Sequence, residues 1–387
     1  MNVFIIGARG YKTPYGGWET FVRGLLDNWK NKNIHFYVYE KASLDLNEKI
    51  EEISSHITLF NIHVPNKGGF TMMKYDAICT NHAYAFVNNN KITNVIFYYL
   101  GLRIGPYVLL KRRKFKKQNI EIYENAAGLE WRRTKWNRLV QLYLLISAFM
   151  MAKASDILIC DSEGILDVYN KFLRSNRPKK VFIPYGTYIN PKIVRQENVE
   201  EYYTKNGIKE KNYYLVVSRF VPENNYELII NEFMKSSTTK DLILVTNHVF
   251  ENNYYIKLLK KLNFDTDKRI KFVGTLYDRQ IMNNLRKDAF AYINGHTLGG
   301  TNPGLLEAMS ITDLNLVYDV VFARQVGEKS VIYYDENNSL KNQIEYVEKL
   351  SQHEINQYGI SAKARMEKFY EWSIIVDKYE QLFLNKE

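Results

Sequence analysis

The sequence predicts an α/β protein of two domains, each a doubly wound parallel sheet with helices on both faces. Short apolar runs alternate with stretches long enough for crossover helices along most of the 387 residues. This alternation pauses in a polar stretch over residues 191–212 and then starts again. Two such sheets that face each other would form a cleft at the carboxyl ends of their strands, where open α/β sheets bind ligands.

The predicted first domain covers residues 1–190 and contains eight strand-like runs. Their residue ranges are 3–7, 35–40, 57–62, 77–81, 95–100, 120–125, 157–161 and 181–186. Residues 191–212 are interpreted as a linker that contains a short helix. Since 46% of the chain is hydrophobic, both domains have enough apolar surface for a core.

The predicted second domain covers residues 213–352 and contains six strand-like runs. These lie at 213–220, 242–247, 270–275, 289–295, 314–319 and 331–334. Residues 353–387 show helical spacing only, in particular in WSIIVDKYEQLF. Whether these C-terminal helices return to the first domain stays open from the sequence.

The residue types exclude several classes of protein. The two cysteines, Cys79 and Cys160, both lie in apolar runs, and the seven histidines have no metal-ligand spacing, so neither a disulfide framework nor a metal site is expected. The chain opens directly into a strand-like run, MNVFIIG, and has no uncharged apolar span of 18 residues. We therefore expect a cytoplasmic protein.

The positive charge is concentrated in the first half of the chain. Residues 1–200 hold 29 Lys and Arg against 17 Asp and Glu, whereas residues 201–387 hold 24 against 25. The excess is densest at residues 111–117 and 132–138, next to apolar segments. This pattern favours docking of the first domain to an anionic membrane surface. Only the charge would support a nucleic-acid partner, because the sequence contains no recognition motif for one. We therefore expect no nucleic-acid partner.

A glycine-rich loop in the second domain is the most informative motif. Gly299, Gly300 and Thr301 follow a predicted strand, Asn302 is placed to cap a helix, and Pro303 suits its first position. Free backbone amides beside glycines suit the diphosphate of a nucleotide. His296 precedes this loop, and Glu307 follows one turn into the helix, where its carboxylate is able to accept hydrogen bonds from sugar hydroxyls.

Another predicted strand of the second domain ends at Arg219. An arginine at that place points towards the ligand edge of the sheet and is able to bind phosphate oxygens with two parallel hydrogen bonds. It is followed by the segment Pro-Glu-Asn-Asn (222–225), which includes Asn224. A structural ion pair would account for the arginine equally well.

In the first domain, polar residues follow three predicted strands. Gly16, Gly17 and Glu19 come after the first strand and open a helix. Glu124, Glu130 and Asp161 follow two later strands and are candidates for a general base. Helix capping or a charged helix start would be the structural alternatives for these residues.

Together these motifs resemble the GT-B glycosyltransferases of family four, which have two facing Rossmann-like domains. The closest similarity is to bacterial rhamnosyltransferases of cell-wall and capsular polysaccharide assembly. It is carried, in chain order, by Gly-Gly-Trp-Glu-Thr-Phe-Val (16–22), Gly-Leu-Glu-Trp-Arg-Arg-Thr-Lys-Trp (128–136), Asp-Ser-Glu-Gly-Ile (161–165), Pro-Glu-Asn-Asn (222–225) and Gly-Gly-Thr-Asn-Pro-Gly-Leu-Leu-Glu-Ala-Met (299–309).

The resemblance implies a nucleotide-sugar donor such as dTDP-L-rhamnose, without a metal or other cofactor. It also implies a glycan acceptor, often linked to undecaprenyl diphosphate, and hence a peripheral location on the inner face of the cell membrane. The donor would be held by residues of both domains: Gly16, Gly17, Glu19, Arg219, Asn224, His296, Gly299, Gly300, Thr301, Asn302 and Glu307.

Three questions stay open at this point. Close relatives are expected to carry an aspartate base at the position of Ala127, so that Glu130, Glu124 or Asp161 would replace it if the reaction inverts the anomeric centre. The donor is alternatively a UDP or GDP sugar. The third alternative is a non-catalytic partner of another transferase that binds glycan or nucleotide.

Overall fold

The computed structural model describes residues 1–13, 16–42, 50–65, 68–126, 128–133, 135–173, 178–247 and 252–384. Ala127, which bears on the choice of catalytic base, lies outside these residues. The chain forms two units. Unit 1 consists of residues 1–186 and 372–387, and unit 2 of residues 187–371.

Unit 1 is built on an eight-stranded sheet in the order β3-β4-β2-β1-β5-β6-β7-β8. The strands are β1 Asn2–Ile6, β2 His35–Ala42, β3 Ile50–Ser54, β4 Ile57–His63, β5 Val95–Leu100, β6 Ile120–Asn125, β7 Ile157–Cys160 and β8 Lys179–Phe182. The helices between them are α1 Gly17–Asp27, α2 Thr71–Asn89, α3 Gly105–Lys117, α4 Arg138–Ala154 and α5 Glu163–Phe172. All strand pairs are parallel except β3 with β4.

The central strands of unit 1 are apolar on both faces because helices cover both. All six residues of β5 are buried, as expected for an interior parallel strand. Phe4 and Phe97 pack with Tyr75 of α2 and Phe115 of α3 on one face. Covering both faces in this way leaves only the ends of the strands open to a ligand.

One strand prediction in this unit is wrong. Residues 77–81 lie in the middle of α2 rather than in a strand. Their apolar run belongs to a longer helical pattern in which Tyr75, Cys79 and Ala83, each four residues apart, form the buried face. The short strand β3, in which no residue is fully buried, was not predicted from the sequence.

Unit 2 is built on a six-stranded, all-parallel sheet in the order β11-β10-β9-β12-β13-β14. The strands are β9 Tyr213–Val217, β10 Asp241–Val245, β11 Ile270–Gly274, β12 Ala291–Asn294, β13 Asn315–Tyr318 and β14 Ile332–Tyr334. The helices are α6 Glu197–Asn206, α7 Tyr226–Lys235, α8 Asn253–Leu262, α9 Arg279–Asp288, α10 Pro303–Met309, α11 Val321–Gly327, α12 Leu340–Val347 and α13 Gln352–Phe369. All six predicted strands of this unit are present, and the predicted fold class is confirmed.

The boundaries of the units differ from those drawn on the sequence. The predicted linker 191–212 contains α6, which lies in unit 2, where its Val199 and Tyr203 join a core with residues of β9 and α9. Among the C-terminal helices, α13 belongs to unit 2, and the last helix, α14 Trp372–Phe383, belongs to unit 1.

The helix α14 packs next to α1 on the second face of the unit 1 sheet. Its Tyr379 hydroxyl lies 2.9 Å from the Tyr98 hydroxyl of β5. The Phe383 ring lies 5.9 Å from that of Trp29, just after α1. A Cβ on Gly24 of α1 would lie only 2.0 Å from the Trp372 ring, so this close approach requires glycine. The helix α14 thus completes the first unit.

Candidate functional site

The order of the unit 2 strands marks where this sheet is expected to bind a ligand. Strands β9 and β12 are neighbours in the centre, and the chain leaves them towards opposite sides of the sheet. This is the topological switch point, where loops diverge and open a crevice at the carboxyl ends of the strands. The loop after β9 contains Arg219 and Asn224, and the loop after β12 contains residues 295–302.

Hydrogen bonds join these two loops. Asn224 Nδ2 donates to the Arg219 carbonyl oxygen at 2.7 Å, which leaves Asn224 Oδ1 to accept from His296 Nδ1 at 2.9 Å. The backbone amide and the hydroxyl of Thr297 both donate to the Glu223 carbonyl oxygen, each at 2.9 Å. His296 and Asn224 are therefore brought together, as parts of one hydrogen-bonded junction between the two loops.

The glycine-rich loop presents backbone amides that have no protein acceptor. Gly299 and Gly300 are buried, yet within the described part of the chain their N–H groups and that of Asn302 donate to nothing. Gly299 has a φ of +137°, and a Cβ there would lie 3.1 Å from His296 Nε2. A buried N–H without an acceptor is costly, so the two glycine N–H groups, with that of the partly exposed Asn302 beside them, indicate a site for an anion or another acceptor.

Arg219 carries a positive charge on the loop after β9. Its side chain is exposed, and no hydrogen bond or ion pair joins its guanidinium to another described residue. The sequence left open a structural ion pair as the role of Arg219. Within the described ranges, Arg219 has no carboxylate partner for such a pair. A guanidinium without a partner on one loop and amides without acceptors on the loop joined to it are the kinds of donor that bind phosphate oxygens.

The helix after the loop begins as its sequence predicts. Asn302 Oδ1 accepts from the amides of Gly304 at 2.9 Å and Leu305 at 3.4 Å, and so caps α10. Thr301 is buried next to it. The cap satisfies the first turn of α10, so the unpaired amides are those of the preceding loop.

Glu307 lies one turn further and has a partner that sequence analysis missed. One of its carboxylate oxygens, Oε2, forms an ion pair with Arg286 of α9, while Oε1 has no partner among the described residues. Arg286 is buried and Glu307 is partly exposed, so the arginine anchors a carboxylate that still reaches solvent. Arg286 lies 21 residues upstream in an ordinary helical pattern, and no motif marks it.

The three unit 1 residues in the predicted donor set lie at the start of α1. Gly16 has a φ of +139° and Gly17 is the first helical residue. The buried Glu19 carboxylate folds back towards Gly16, where a Cβ would lie 1.8 Å from Oε2, and its Oε1 accepts from the Arg9 amide at 2.9 Å. Glu19 therefore holds the loop after β1 against the helix start.

Two of the three predicted base candidates are buried. Glu124, on β6, is fully buried; Ser155 Oγ donates to its Oε2 at 3.3 Å. Burial raises the pKa of Glu124 well above its ordinary value, with a smaller opposing effect of Ser155, and raises the pKa of Asp161 to about 7. Burial therefore favours the neutral form of both carboxyl groups.

Glu130 differs from both because it reaches solvent. It begins a short 3-10 turn after β6, and one third of its side chain is exposed. Arg133 Nε lies 2.7 Å from its Oε1, and Lys135 Nζ lies 3.8 Å from its Oε2. Of the three candidates, only this carboxylate is accessible to an acceptor hydroxyl.

The described ranges contain no group of three His, Cys, Asp or Glu side chains able to hold a metal ion. None of the described helices combines the length and the apolar character needed to cross a bilayer.

Part of the chain matches a known protein family. Residues 1–188 match the model of a family described as a domain of unknown function (DUF1972). A search of curated proteins found no match.

Solved structures match over almost the whole chain. Sucrose-phosphate synthase (tll1590) of Thermosynechococcus elongatus is 14% identical, with a TM-score of 0.77 and coverage of 99% of this chain and 98% of that one. Anabaena HepE (Alr3699), solved in complex with UDP, is 13% identical, with a TM-score of 0.72 and 99% coverage of both chains. The UDP-forming α,α-trehalose-phosphate synthase of Burkholderia vietnamiensis is 8% identical, with a TM-score of 0.70 and full coverage of both. The chain therefore has the GT-B fold of glycosyltransferases, with two Rossmann-like parallel-sheet units.

Proposed function

We propose that this chain is a glycosyltransferase that binds the diphosphate of a nucleotide sugar in unit 2 and transfers the sugar to a growing polysaccharide. The observation that carries the proposal is the junction of two loops at the unit 2 switch point. The loop after β9 holds Arg219, whose guanidinium has no partner among the described residues. It is hydrogen-bonded to the loop after β12, which holds the unpaired amides of Gly299, Gly300 and Asn302. Guanidinium and amide donors stabilise the negative charge that develops on a leaving diphosphate.

Two lines of support bear on the identity of the donor, and they favour different nucleotides. The resemblance of the sequence blocks to rhamnosyltransferases favours dTDP-L-rhamnose and cell-wall or capsular polysaccharide assembly. The solved neighbours favour uridine, because HepE was solved with UDP and the trehalose-phosphate synthase is named as UDP-forming. We propose dTDP-L-rhamnose as the donor, with UDP and GDP sugars as its competitors in the test.

Arg219→Ala is expected to weaken nucleoside diphosphate binding about 10- to 100-fold. Hydrogen bonds to a charged partner contribute about 1.5–3 kcal/mol, and this arginine is the exposed cation of the site. Isothermal titration with dTDP, dTDP-L-rhamnose, UDP-glucose, UDP-N-acetylglucosamine and GDP-mannose measures the affinity and the selectivity together. Lys260→Ala, in the last turn of α8 and so at the other edge of the sheet, is the matched control for loss of one positive charge.

The outcomes separate the alternatives. Selective binding of dTDP compounds that Arg219→Ala weakens and Lys260→Ala does not supports the rhamnosyl donor. Selective binding of a UDP or GDP sugar keeps the transferase and rejects rhamnose. Nucleotide binding without transfer to any acceptor points to the non-catalytic partner, and a folded protein that binds none of the five contradicts the proposal.

We further propose that unit 1 associates with the inner face of the cell membrane to reach a lipid-linked acceptor. The side chains of Leu139, Leu142 and Ile146 are 79%, 54% and 48% exposed, and their spacing places them on one face of α4. The neighbouring helix α3 adds Leu110, which is 83% exposed. We call these four residues the α3–α4 apolar surface.

Exposed cations lie on the same two helices as this surface. Arg138 is exposed beside Leu139, and Arg113, Lys116 and Lys117 are exposed on α3 with no acceptor among the described residues. The helices are held side by side, since the Gly105 amide of α3 donates to Ser147 Oγ of α4 at 3.0 Å. Apolar side chains flanked by lysine and arginine are complementary to an anionic bilayer interface.

Leu139→Ser combined with Leu142→Ser is expected to weaken binding to vesicles of phosphatidylglycerol and phosphatidylcholine about tenfold. Each leucine would lose part of the roughly 1.5–3 kcal/mol gained by burying its side chain. Co-sedimentation at increasing salt measures both this loss and the electrostatic part of binding. Ile360→Ser, which replaces a 60% exposed residue of α13, is the matched control. Equal binding of the double variant and the control would contradict membrane docking through α4.

A further inference from the structure

Arg286, on α9, is a buried arginine whose side chain has one partner among the described residues. The residue is 5% exposed, and its NH2 group donates to Glu307 Oε2 on α10. Its Nε is buried and has no hydrogen-bond partner within the described ranges. Burying a charged group is costly, and one ion pair with a partly exposed carboxylate offsets that cost poorly. The stability of unit 2 therefore does not explain why this position holds an arginine.

The two helices that carry the pair are fixed against each other inside unit 2. Leu285 of α9 and Ala308 of α10, which neighbour the two charged residues, are fully buried in the same apolar core. The Arg286 carbonyl oxygen accepts from Thr312 Oγ1, just after α10, at 2.8 Å. Since the arginine is buried and the glutamate partly exposed, the arginine determines where the Glu307 carboxylate lies.

The pair lies close to the loop with the unpaired amides. The helix α10 begins at Pro303, directly after that loop. Its start packs against β9 and β12, because a Cβ on Gly304 would lie 3.5 Å from the Tyr292 hydroxyl and 3.8 Å from the Val217 carbonyl oxygen. At about 1.5 Å per residue, Glu307 lies about 6 Å along the axis from the first residue of the helix. A nucleotide with its phosphates at the loop would have its pentose at this depth.

The free oxygen of the carboxylate suits one hydroxyl of such a pentose. A carboxylate only accepts hydrogen bonds and repels phosphate, and the pentose hydroxyls are the donors nearest to the phosphates of a nucleotide. Arg286 engages Oε2, whereas Oε1 has no partner among the described residues. The guanidinium also offsets the negative charge that the carboxylate places near a diphosphate. One fixed acceptor oxygen thus remains for one hydroxyl.

We infer that Arg286 is a positioning residue of the nucleotide site, which directs Glu307 Oε1 at one hydroxyl of the pentose. This role rests on the proposed transferase function, because it requires a nucleotide in unit 2. It also bears on the choice of donor. A 2′-deoxyribose 5′-diphosphate has a single free hydroxyl, at its 3′ carbon, whereas ribose has two. A single acceptor oxygen gives ribose little advantage, so a deoxythymidine nucleotide loses nothing at this contact.

The test is isothermal titration with dTDP and its 3′-deoxy analogue, which lacks only that hydroxyl. The ratio of the two dissociation constants measures the hydroxyl contact, because effects common to both ligands cancel. The analogue is expected to bind the wild-type protein about tenfold more weakly, as for a lost hydrogen bond to a charged group. Arg286→Met is expected to reduce this ratio to about twofold, and Glu307→Ala to about one. UDP and 3′-deoxy-UDP take their place if uridine nucleotides bind instead.

Two further variants separate positioning from stability. Arg269→Met is the matched control, because Arg269 is a partly buried arginine paired with Asp267 but precedes β11, at the amino end of a strand. It should keep the wild-type ratio even where it lowers stability. Arg286→Lys keeps the charge but not the planar geometry, so an intermediate ratio is expected. This variant also keeps the test readable if Arg286→Met does not fold.

A ratio that falls in Arg286→Met and not in Arg269→Met supports the inference. An unchanged ratio in Arg286→Met, with both nucleotides weakened equally, would make the arginine purely structural and overturn it, as would a wild-type ratio near one. 5-Methyl-UDP, the ribose counterpart of dTDP, should bind nearly as dTDP does, and much tighter binding would overturn the single hydroxyl. A folded wild-type protein that binds neither dTDP nor UDP contradicts the transferase proposal itself, so the two failures are distinct.

Discussion

Glu130→Gln is expected to lower the turnover number about 10²- to 10⁴-fold while leaving donor affinity nearly unchanged. A positioned general base contributes rate factors of this size, and the amide keeps the shape of the side chain while losing its basicity. Glu130 is the candidate carboxylate that reaches solvent, and its ion pair with Arg133 holds it in one orientation. Initial rates with the donor identified by titration, at saturating donor and acceptor, measure the effect.

Glu124→Gln is the matched comparison for this experiment. The Glu124 carboxyl is fully buried, and burial raises its pKa and favours the neutral form, whose shape an amide reproduces. We expect its turnover to stay within a few-fold of wild type. Full activity of Glu130→Gln would instead indicate a retaining reaction or another base, and a large loss for Glu124→Gln alone would place the chemistry at β6.

The sequence predicts strands better than it predicts their partners. The run VIFYYL is a strand on composition alone, and it becomes the fully buried β5. Residues 77–81 show the limit of this reasoning, since a short apolar run fits a strand or one turn of a buried helix equally well. The helical spacing of residues 372–383 predicts α14, but its packing on Trp29 and Tyr98 depends on contacts more than 270 residues away.

The candidate site also has a part that could be predicted from the sequence and a part that could not. Strand ends followed by glycine and arginine indicate both loops of the unit 2 switch point, because such a loop depends on local residue types. The bond between His296 and Asn224 joins positions 72 residues apart, and only the neighbouring places of β9 and β12 in the sheet explain it. The base candidates look alike in sequence, whereas burial separates Glu124 and Asp161 from Glu130.

Asp161→Asn is expected to change how the stability of unit 1 depends on pH. Asp161 is almost fully buried at the end of β7, and burial raises its pKa from about 3.8 to about 7. Between these two values the folded state binds more protons than the unfolded state does, so stability falls as pH rises through this window. A shift of about three pKa units corresponds to roughly 4 kcal/mol, an upper estimate for the loss between pH 4 and pH 7.

The asparagine variant has no carboxyl to titrate, so its unfolding free energy relative to wild type should rise by up to about 4 kcal/mol across this window and level off above pH 7. Glu124 remains in both proteins and contributes a fall of the same sign, which cancels in the difference. All five tryptophans lie in unit 1, so their fluorescence during urea unfolding reports on this unit alone. Asp167→Asn, at an exposed position on α5, should run parallel to wild type. Parallel curves for Asp161→Asn as well would mean that Asp161 has the same pKa in the folded and unfolded states, and would restore it as a candidate base.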